Sequence, residues 1–197
     1  MYKSKAVILA GGYGSRLGRF TKLKPKPMVD VQGLPIILHI MNIYMKYSIN
    51  SFIICTGYKG EVIREFFLKK YKKHVIKKSK TELLIKNDQI EINIVDTGKN
   101  SLTGGRIKRI EKFVKDIDFF YMTYGDGLAN IDIKKLTKFH LKHKKIATVT
   151  VVKLQIPQER FGVIYFKKKN IVKKFLEKPD IKEVYINGGF FVLTKKI

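Results

Sequence analysis

Ala6-Val7-Ile8-Leu9 runs into Ala10-Gly11-Gly12-Tyr13-Gly14-Ser15-Arg16-Leu17 and, a few residues later, into Lys24-Pro25-Lys26-Pro27-Met28. Four apolar residues followed by a glycine cluster read as a buried strand delivering a tight turn. Glycines let the backbone approach an anion and turn its N–H groups toward it, and a helix expected just beyond adds the positive end of its dipole. Ser15 adds a hydroxyl donor, Arg16 a fork for phosphate oxygens, and Lys26 a point charge able to reach a different oxygen. The stretch reads as a phosphate grip.

Outward from the grip, elements alternate. Pro35 to Met45 is apolar almost all round and opens with proline, as a buried helix does, with Asn50 able to close it. Ser51 to Thr56 reads as a second buried strand, ending in Gly57-Tyr58-Lys59-Gly60. Glu61 to Tyr71 is an amphipathic helix with Val62 and Phe66 inward, then Ile63 and Phe67. Residues 74–88 are lysine-rich and weakly patterned. Ile90 to Val95 is a strand, Thr103-Gly104-Gly105-Arg106 opens a helix through Phe113, and Phe119 to Thr123 is a strand that delivers Tyr124-Gly125-Asp126-Gly127. Asp132 caps a helix running to about His143, and Ile146 to Val152 is another strand. Gly162 to Phe166, Ile171 to Leu176 and Tyr185 to Leu193 then form short strands with tight turns. The pattern predicts an α/β fold: a Rossmann-like, mostly parallel sheet with helices on both faces, plus a small antiparallel extension within the same domain.

Composition narrows the function. With 45% apolar residues in 197, the chain can bury a sizeable core. No apolar run reaches membrane-spanning length and no signal peptide is visible, so a cytoplasmic protein without membrane contact is expected. The formal charge of +25 suggests an anionic partner, but only six of the 41 basic residues are arginine and the lysines are dispersed, which argues against nucleic acid. Cys55, inside an apolar strand, reads as a buried thiol. Tyr44, Tyr47 and Phe52 read as core. His140 and His143 stand i, i+3 on a helix with no acidic or sulfur partner in view, and read as solvated or half-buried side chains, not metal ligands.

The glycine turn fails the familiar phosphate loops. A dinucleotide fingerprint counted from Gly12 needs glycine where Leu17 stands, and no Gly-Lys-Ser/Thr follows at Walker A spacing. What remains, G-G-x-G-S-R-L followed by K-P-K-P-M, resembles the signature of the sugar-phosphate nucleotidyltransferases. Asp96-Thr97-Gly98 with Thr103 to Arg109, Tyr124-Gly125-Asp126-Gly127, and Arg160-Phe161-Gly162-Val163-Ile164 carry a narrower likeness to the members that join CTP to glucose 1-phosphate. The resemblance spans Ala6 to about Leu193.

It implies transfer of a cytidylyl group from CTP to glucose 1-phosphate, giving CDP-glucose and pyrophosphate for deoxysugar or surface-polysaccharide synthesis. Alternatives left open are a UTP- or dTTP-dependent relative, or a nucleotide-binding protein with little catalysis. The resemblance assigns catalysis to Arg16 and Lys26. Nucleotide binding falls to Leu9, Gly11, Gly12, Gly14, Ser15, Gly57, Tyr58, Thr103, Gly104, Gly105 and Arg106. The sugar phosphate falls to Gly162, Glu177, Lys178, Asn187 and Gly188, and a metal, Mg²⁺, to Asp126.

Two departures stand out. Ser15 replaces the usual threonine, and Gly18 to Leu23 lacks the acidic residues that cytidylyltransferases tend to carry there. The family pattern also continues past Ile197 to a second metal-binding aspartate. The chain is therefore expected to be a single nucleotidyltransferase domain, 1–197, shortened at its C-terminus, with reduced turnover and apolar surface that favours a homo-oligomer.

Overall fold

The computed structural model describes residues 4–14, 24–154, 163–166, 172–176 and 184–196. The chain groups into two compact units, Met1–Val149 with Gly189–Ile197, and Thr150–Gly188.

The first unit is built on parallel strands. β1 (Ala6–Leu9) leads through a 3₁₀ turn at Lys26–Met28 and a small hairpin, β2 (Asp30–Val31) with β3 (Leu34–Pro35), to α1 (Ile36–Met45) and β4 (Ser51–Thr56). Next come α2 (Gly60–Lys70), β5 (Val75–Lys78), β6 (Glu82–Lys86) and β7 (Glu91–Asp96). α3 (Thr103–Arg109), α4 (Glu111–Val114), β8 (Phe119–Tyr124), α5 (Ile133–His143) and β9 (Ala147–Leu154) follow. In the second unit β10 (Val163–Phe166) pairs antiparallel with β11 (Val172–Leu176), and β12 (Val184–Thr194) returns to the first.

The main sheet has the order β5-β6-β7-β4-β1-β8-β12-β9. β1 pairs parallel with β4 and β8, and β4 with β7; β6 runs antiparallel to β7, β5 to β6 and β12 to β8. The expected mostly parallel sheet and small antiparallel extension are both present. Side chains alternate across it with period two, as strands buried on both faces require. Ala6, Ile8, Phe52, Ile54, Ile92, Ile94, Phe119 and Tyr121 meet α1, α2 and α5 on one face. Val7, Ile53, Cys55, Phe120 and Met122 meet Ile110, Val114 and Ile117 on the other. Burial pushes the Cys55 thiol up to about 12, which keeps it neutral and unreactive.

Several local expectations are corrected. The lysine-rich stretch forms β5 and β6, where only Leu83 and Ile85 are buried. In α2 it is Ile63 and Phe67 that lie fully in the core, with Val62 and Phe66 packed at its margin. The helix expected from Thr103 to Phe113 breaks at Ile110, which has φ −102° and ψ 9°, into α3 and α4. α1 stops at Met45, well before Asn50, and Ser48 turns the chain at φ 60°. Tyr47 is exposed, with its hydroxyl donating to the Ile131 carbonyl at 3.3 Å. The Asp132 cap forms as expected, its carboxylate accepting from Lys135 N at 2.9 Å.

His140 is buried, not half-solvated. Its Nδ1 lies 2.8 Å from Thr148 Oγ1, and His143 Nε2 lies 2.6 Å from the same oxygen. Burial, then the neighbouring His143, holds the His140 imidazole below its ordinary value. The unfolded chain therefore takes up that proton first, so stability is full above about pH 6.5 and declines as pH falls toward the lowered native value. Urea unfolding between pH 7 and pH 5 is expected to show this decline and His140→Asn to flatten it; an unchanged slope in the variant would contradict the assignment.

Candidate active site

Chain order reverses beside β1: β4 and β7 lie on one flank and β8 on the other. In open parallel sheets the crevice beyond the strand ends at such a switch point is where ligands bind. A cavity of about 300 Å³ opens there, lined by Leu9 to Gly12 and Gly14 after β1, by Tyr124, Gly125 and Asp126 after β8, by Lys26 and Pro27, and by Ser101, Leu102, Thr103 and Arg106. A larger cavity of about 930 Å³ lies at the opposite strand ends, among Asn50, Ser51, Glu91, Phe119 and Ile133. Volume does not decide between them. Only the smaller one brings a glycine turn, a cation and a carboxylate together.

Close backbone approach builds the smaller cavity. Ala10 N donates to the Cys55 carbonyl at 2.9 Å, Tyr58 N to the Gly11 carbonyl at 3.2 Å, and Gly125 N to the Leu9 carbonyl at 2.9 Å. A Cβ on Gly125 would stand 2.8 Å from Pro27 Cγ, so glycine there allows the Asp126 turn to close onto the Lys-Pro string. Lys26 Nζ then lies 3.1 Å from Asp126 Oδ2, joining positions 100 residues apart. Pro25 at the cap and Pro27 within the 3₁₀ turn restrict the backbone that carries Lys26.

Arg106 organises the floor. Its guanidinium donates to the carbonyls of Gly11 (2.8 Å), Thr56 (2.9 Å) and Gly98 (2.9 Å) and to the Thr97 hydroxyl (2.7 Å), tying together the ends of β1, β4 and β7. Burial pulls its pKa down from the ordinary arginine value, with Cys55 and Asp96 opposing, yet a guanidinium stays charged. A Cβ on Gly11 would meet Nη1 at 2.2 Å and one on Gly57 at 2.7 Å, so both glycines exist to admit this side chain. Arg109 supports the next loop, donating to the Thr97 carbonyl and to Ser101 Oγ.

Of the expected nucleotide residues, Leu9, Gly11, Gly12, Gly14, Thr103 and Arg106 line the cavity with Lys26 and Asp126. Gly57 packs behind it against Arg106, while Tyr58 pairs with Tyr13. Gly104 and Gly105 belong to the first turn of α3. Asn187 and Gly188 belong to the second unit, where a Cβ on Gly188 would stand 3.0 Å from Thr150 Oγ1. Ser15, Arg16, Gly162, Glu177 and Lys178 lie outside the described residues. Sequence reading missed Ser101 and Leu102 as lining residues; they precede the Thr-Gly-Gly-Arg signature and carry no pattern of their own.

Gly12 offers a local test. A Cβ there meets nothing within 4 Å, so its face of the cavity is open. Gly12→Ala is expected to leave the melting temperature within about 2 °C of the native protein and to raise the KM for nucleotide at least several-fold by occupying ligand space. An unaltered KM in a folded variant would place the ligand elsewhere.

Among the described residues no three His, Cys, Asp or Glu side chains gather as a metal cage. Asp126, its side chain paired with Lys26 and still 41% exposed to solvent, instead suits a cation that takes one carboxylate and completes its shell with phosphate oxygens and water. No helix among the described residues is long and apolar enough to cross a membrane.

Comparison with known proteins agrees with this geometry. The chain is 44% identical over 200 residues to glucose-1-phosphate cytidylyltransferase of Salmonella typhimurium strain LT2, covering 98% of this chain and 76% of that protein. It is 34% identical to D-glycero-alpha-D-manno-heptose 1-phosphate guanylyltransferase of Campylobacter jejuni, covering 98% and 77%. The structure of HddC from Yersinia pseudotuberculosis complexed with GMP-PN superposes with a TM-score of 0.66 at 26% identity, over all of this chain and 78% of that one. The family described as nucleotidyl transferase matches residues 5–197, and the chain, with its glycine turn, Lys-Pro string and Gly-Asp-Gly turn meeting at one cavity, belongs to that family.

Proposed function

We propose that the chain transfers a cytidylyl group from CTP to glucose 1-phosphate, forming CDP-glucose and pyrophosphate, as a single nucleotidyltransferase domain acting in the cytoplasm. The observation that carries the reading is the meeting of Lys26 and Asp126 at 3.1 Å beside the glycine turn. The base and sugar follow the 44% identity to the Salmonella cytidylyltransferase.

In the reaction a phosphate oxygen of glucose 1-phosphate attacks the α-phosphorus of CTP, and the bond to the β-phosphate oxygen breaks with pyrophosphate carrying away the electron pair. No covalent enzyme intermediate is needed, so positioning and charge neutralisation supply the rate. Backbone N–H groups of Gly11, Gly12 and Gly14 hold the triphosphate, with Ser15 and Arg16 continuing the grip along the chain. Lys26 sits where charge grows on the α-phosphate, and its ion pair with Asp126 holds the ammonium at the cavity before substrate arrives. Asp126 would hold Mg²⁺, which would supply neutralisation of phosphate charge. Gly162, Glu177, Lys178, Asn187 and Gly188 are proposed for the sugar phosphate.

Pyrophosphate release measured across CTP, UTP, dTTP and GTP, each with glucose 1-phosphate or mannose 1-phosphate, tests the specificity. CTP with glucose 1-phosphate is expected to exceed every other pair by at least tenfold, an advantage within reach of hydrogen-bond reading of a base edge. A preference for another base would retire the cytidylyl assignment while leaving the family unchanged.

A further inference from the structure

Tyr13 stands in the middle of the glycine turn and has no part in the roles assigned so far. Its ring lies 5.0 Å, centroid to centroid, from Tyr58 at an interplanar angle of 34°, and its hydroxyl donates to Asn100 Oδ1 at 2.6 Å. Lys99 Nζ stands 5.8 Å from both ring centroids, and Lys59 Nζ 5.4 Å from that of Tyr58. Three loops therefore meet at one aromatic pair: those following β1, β4 and β7. Arg106 ties the same three together from the buried side.

The exposure of Tyr13 decides what kind of feature this is. At 48% exposed, the ring does not fill the core, yet a solvated tyrosine would have no reason to hold both a ring partner and a short hydrogen bond across 87 residues of sequence. The turn it holds also needs holding. Gly11, Gly12 and Gly14 give that segment the largest backbone freedom, Gly14 at φ 68°, and ordering it upon ligand binding would cost affinity. A fastening made before the ligand arrives removes that cost.

We propose that Tyr13 is a positioning residue: a clasp that presets the glycine turn for the triphosphate and so governs nucleotide affinity, not the chemical step. This rests on the nucleotidyl-transfer reading above for its kinetic consequence and on the ring and hydrogen-bond geometry alone for its structural one.

The test uses the 197-residue chain with Tyr13→Ala and Tyr13→Phe, and measures amide hydrogen exchange across residues 11–14 without ligand, then KM for CTP and kcat. Tyr13→Ala is expected to speed exchange in the turn and to raise the KM for CTP about tenfold, the loss of one aromatic pair and one hydrogen bond, with kcat within about twofold. Tyr13→Phe keeps the ring pair and should return KM to within about threefold of native. Unchanged exchange in Tyr13→Ala would overturn the clasp, and so would a fall in kcat at constant KM. Should the protein prove to transfer no nucleotidyl group, exchange alone decides: faster exchange upholds the clasp although the functional reading has failed.

Discussion

Lys26→Ala is expected to lower turnover by about 10³-fold, the range seen when one preorganised group facing transition-state charge is removed. The ammonium lies at the cavity 3.1 Å from Asp126, and the pair is partly exposed, with side chains 20% and 41% accessible. An ion pair of that exposure contributes under about 1 kcal/mol to stability, so the variant should unfold close to the native temperature. Steady-state pyrophosphate release paired with a thermal melt separates the two effects. Lys26→Arg keeps the charge on a wider, differently shaped head, and should recover only part of the rate. A folded Lys26→Ala protein within tenfold of native turnover would remove Lys26 from the chemistry.

Arg106→Met is expected to have its largest effect on the fold. It withdraws the donors from the carbonyls of Gly11, Thr56 and Gly98 and from the Thr97 hydroxyl in a place where the side chain is only 5% exposed. Thr56 O keeps bonds from Thr97, Gly11 O one from Tyr58 N and Gly98 O a long one from Ser101 N, but each carbonyl loses its guanidinium donor. Removing four bonds made by a buried, charged donor should cost about 3–5 kcal/mol, or roughly 10 °C in melting temperature for a chain of this size. Nucleotide affinity should fall with it, because Gly11 and Gly57 are shaped around the guanidinium. Calorimetric melting and CTP titration check both; a variant that melts within 2 °C of native would show the carbonyls satisfied by other means.

What the sequence disclosed, and what it did not, follows from how each feature is encoded. The parallel strands were legible because Val7, Ile53 and Phe120 face one side and Ile8, Ile54 and Tyr121 the other, producing short wholly apolar runs. β5 and β6 were not, since these two strands at the margin of the sheet carry lysines and bury only Leu83 and Ile85, too little to leave a period to read. The inward face of α2 was ambiguous because residues 62, 63, 66 and 67 are all apolar, and tertiary packing alone selects Ile63 and Phe67. The grip and the Gly-Asp-Gly turn were visible as motifs, but their contact depends on strand order, which brings position 26 to position 126. Arg106 was read as a nucleotide residue; its four bonds to the protein could not be read from a Thr-Gly-Gly-Arg string. Nor could the pairing of Tyr13 with Tyr58, since neither residue carries a pattern that names its partner.

The most direct test of the central claim is product analysis after incubating the purified chain with CTP, glucose 1-phosphate labelled with ¹⁸O in its phosphate, and Mg²⁺. Direct attack on the α-phosphorus predicts CDP-glucose and pyrophosphate in equal amounts, with label in the oxygen bridging the two phosphorus atoms of the nucleotide sugar and none in pyrophosphate. Cleavage of CTP to CMP or CDP without CDP-glucose, or label in the released pyrophosphate, would contradict it.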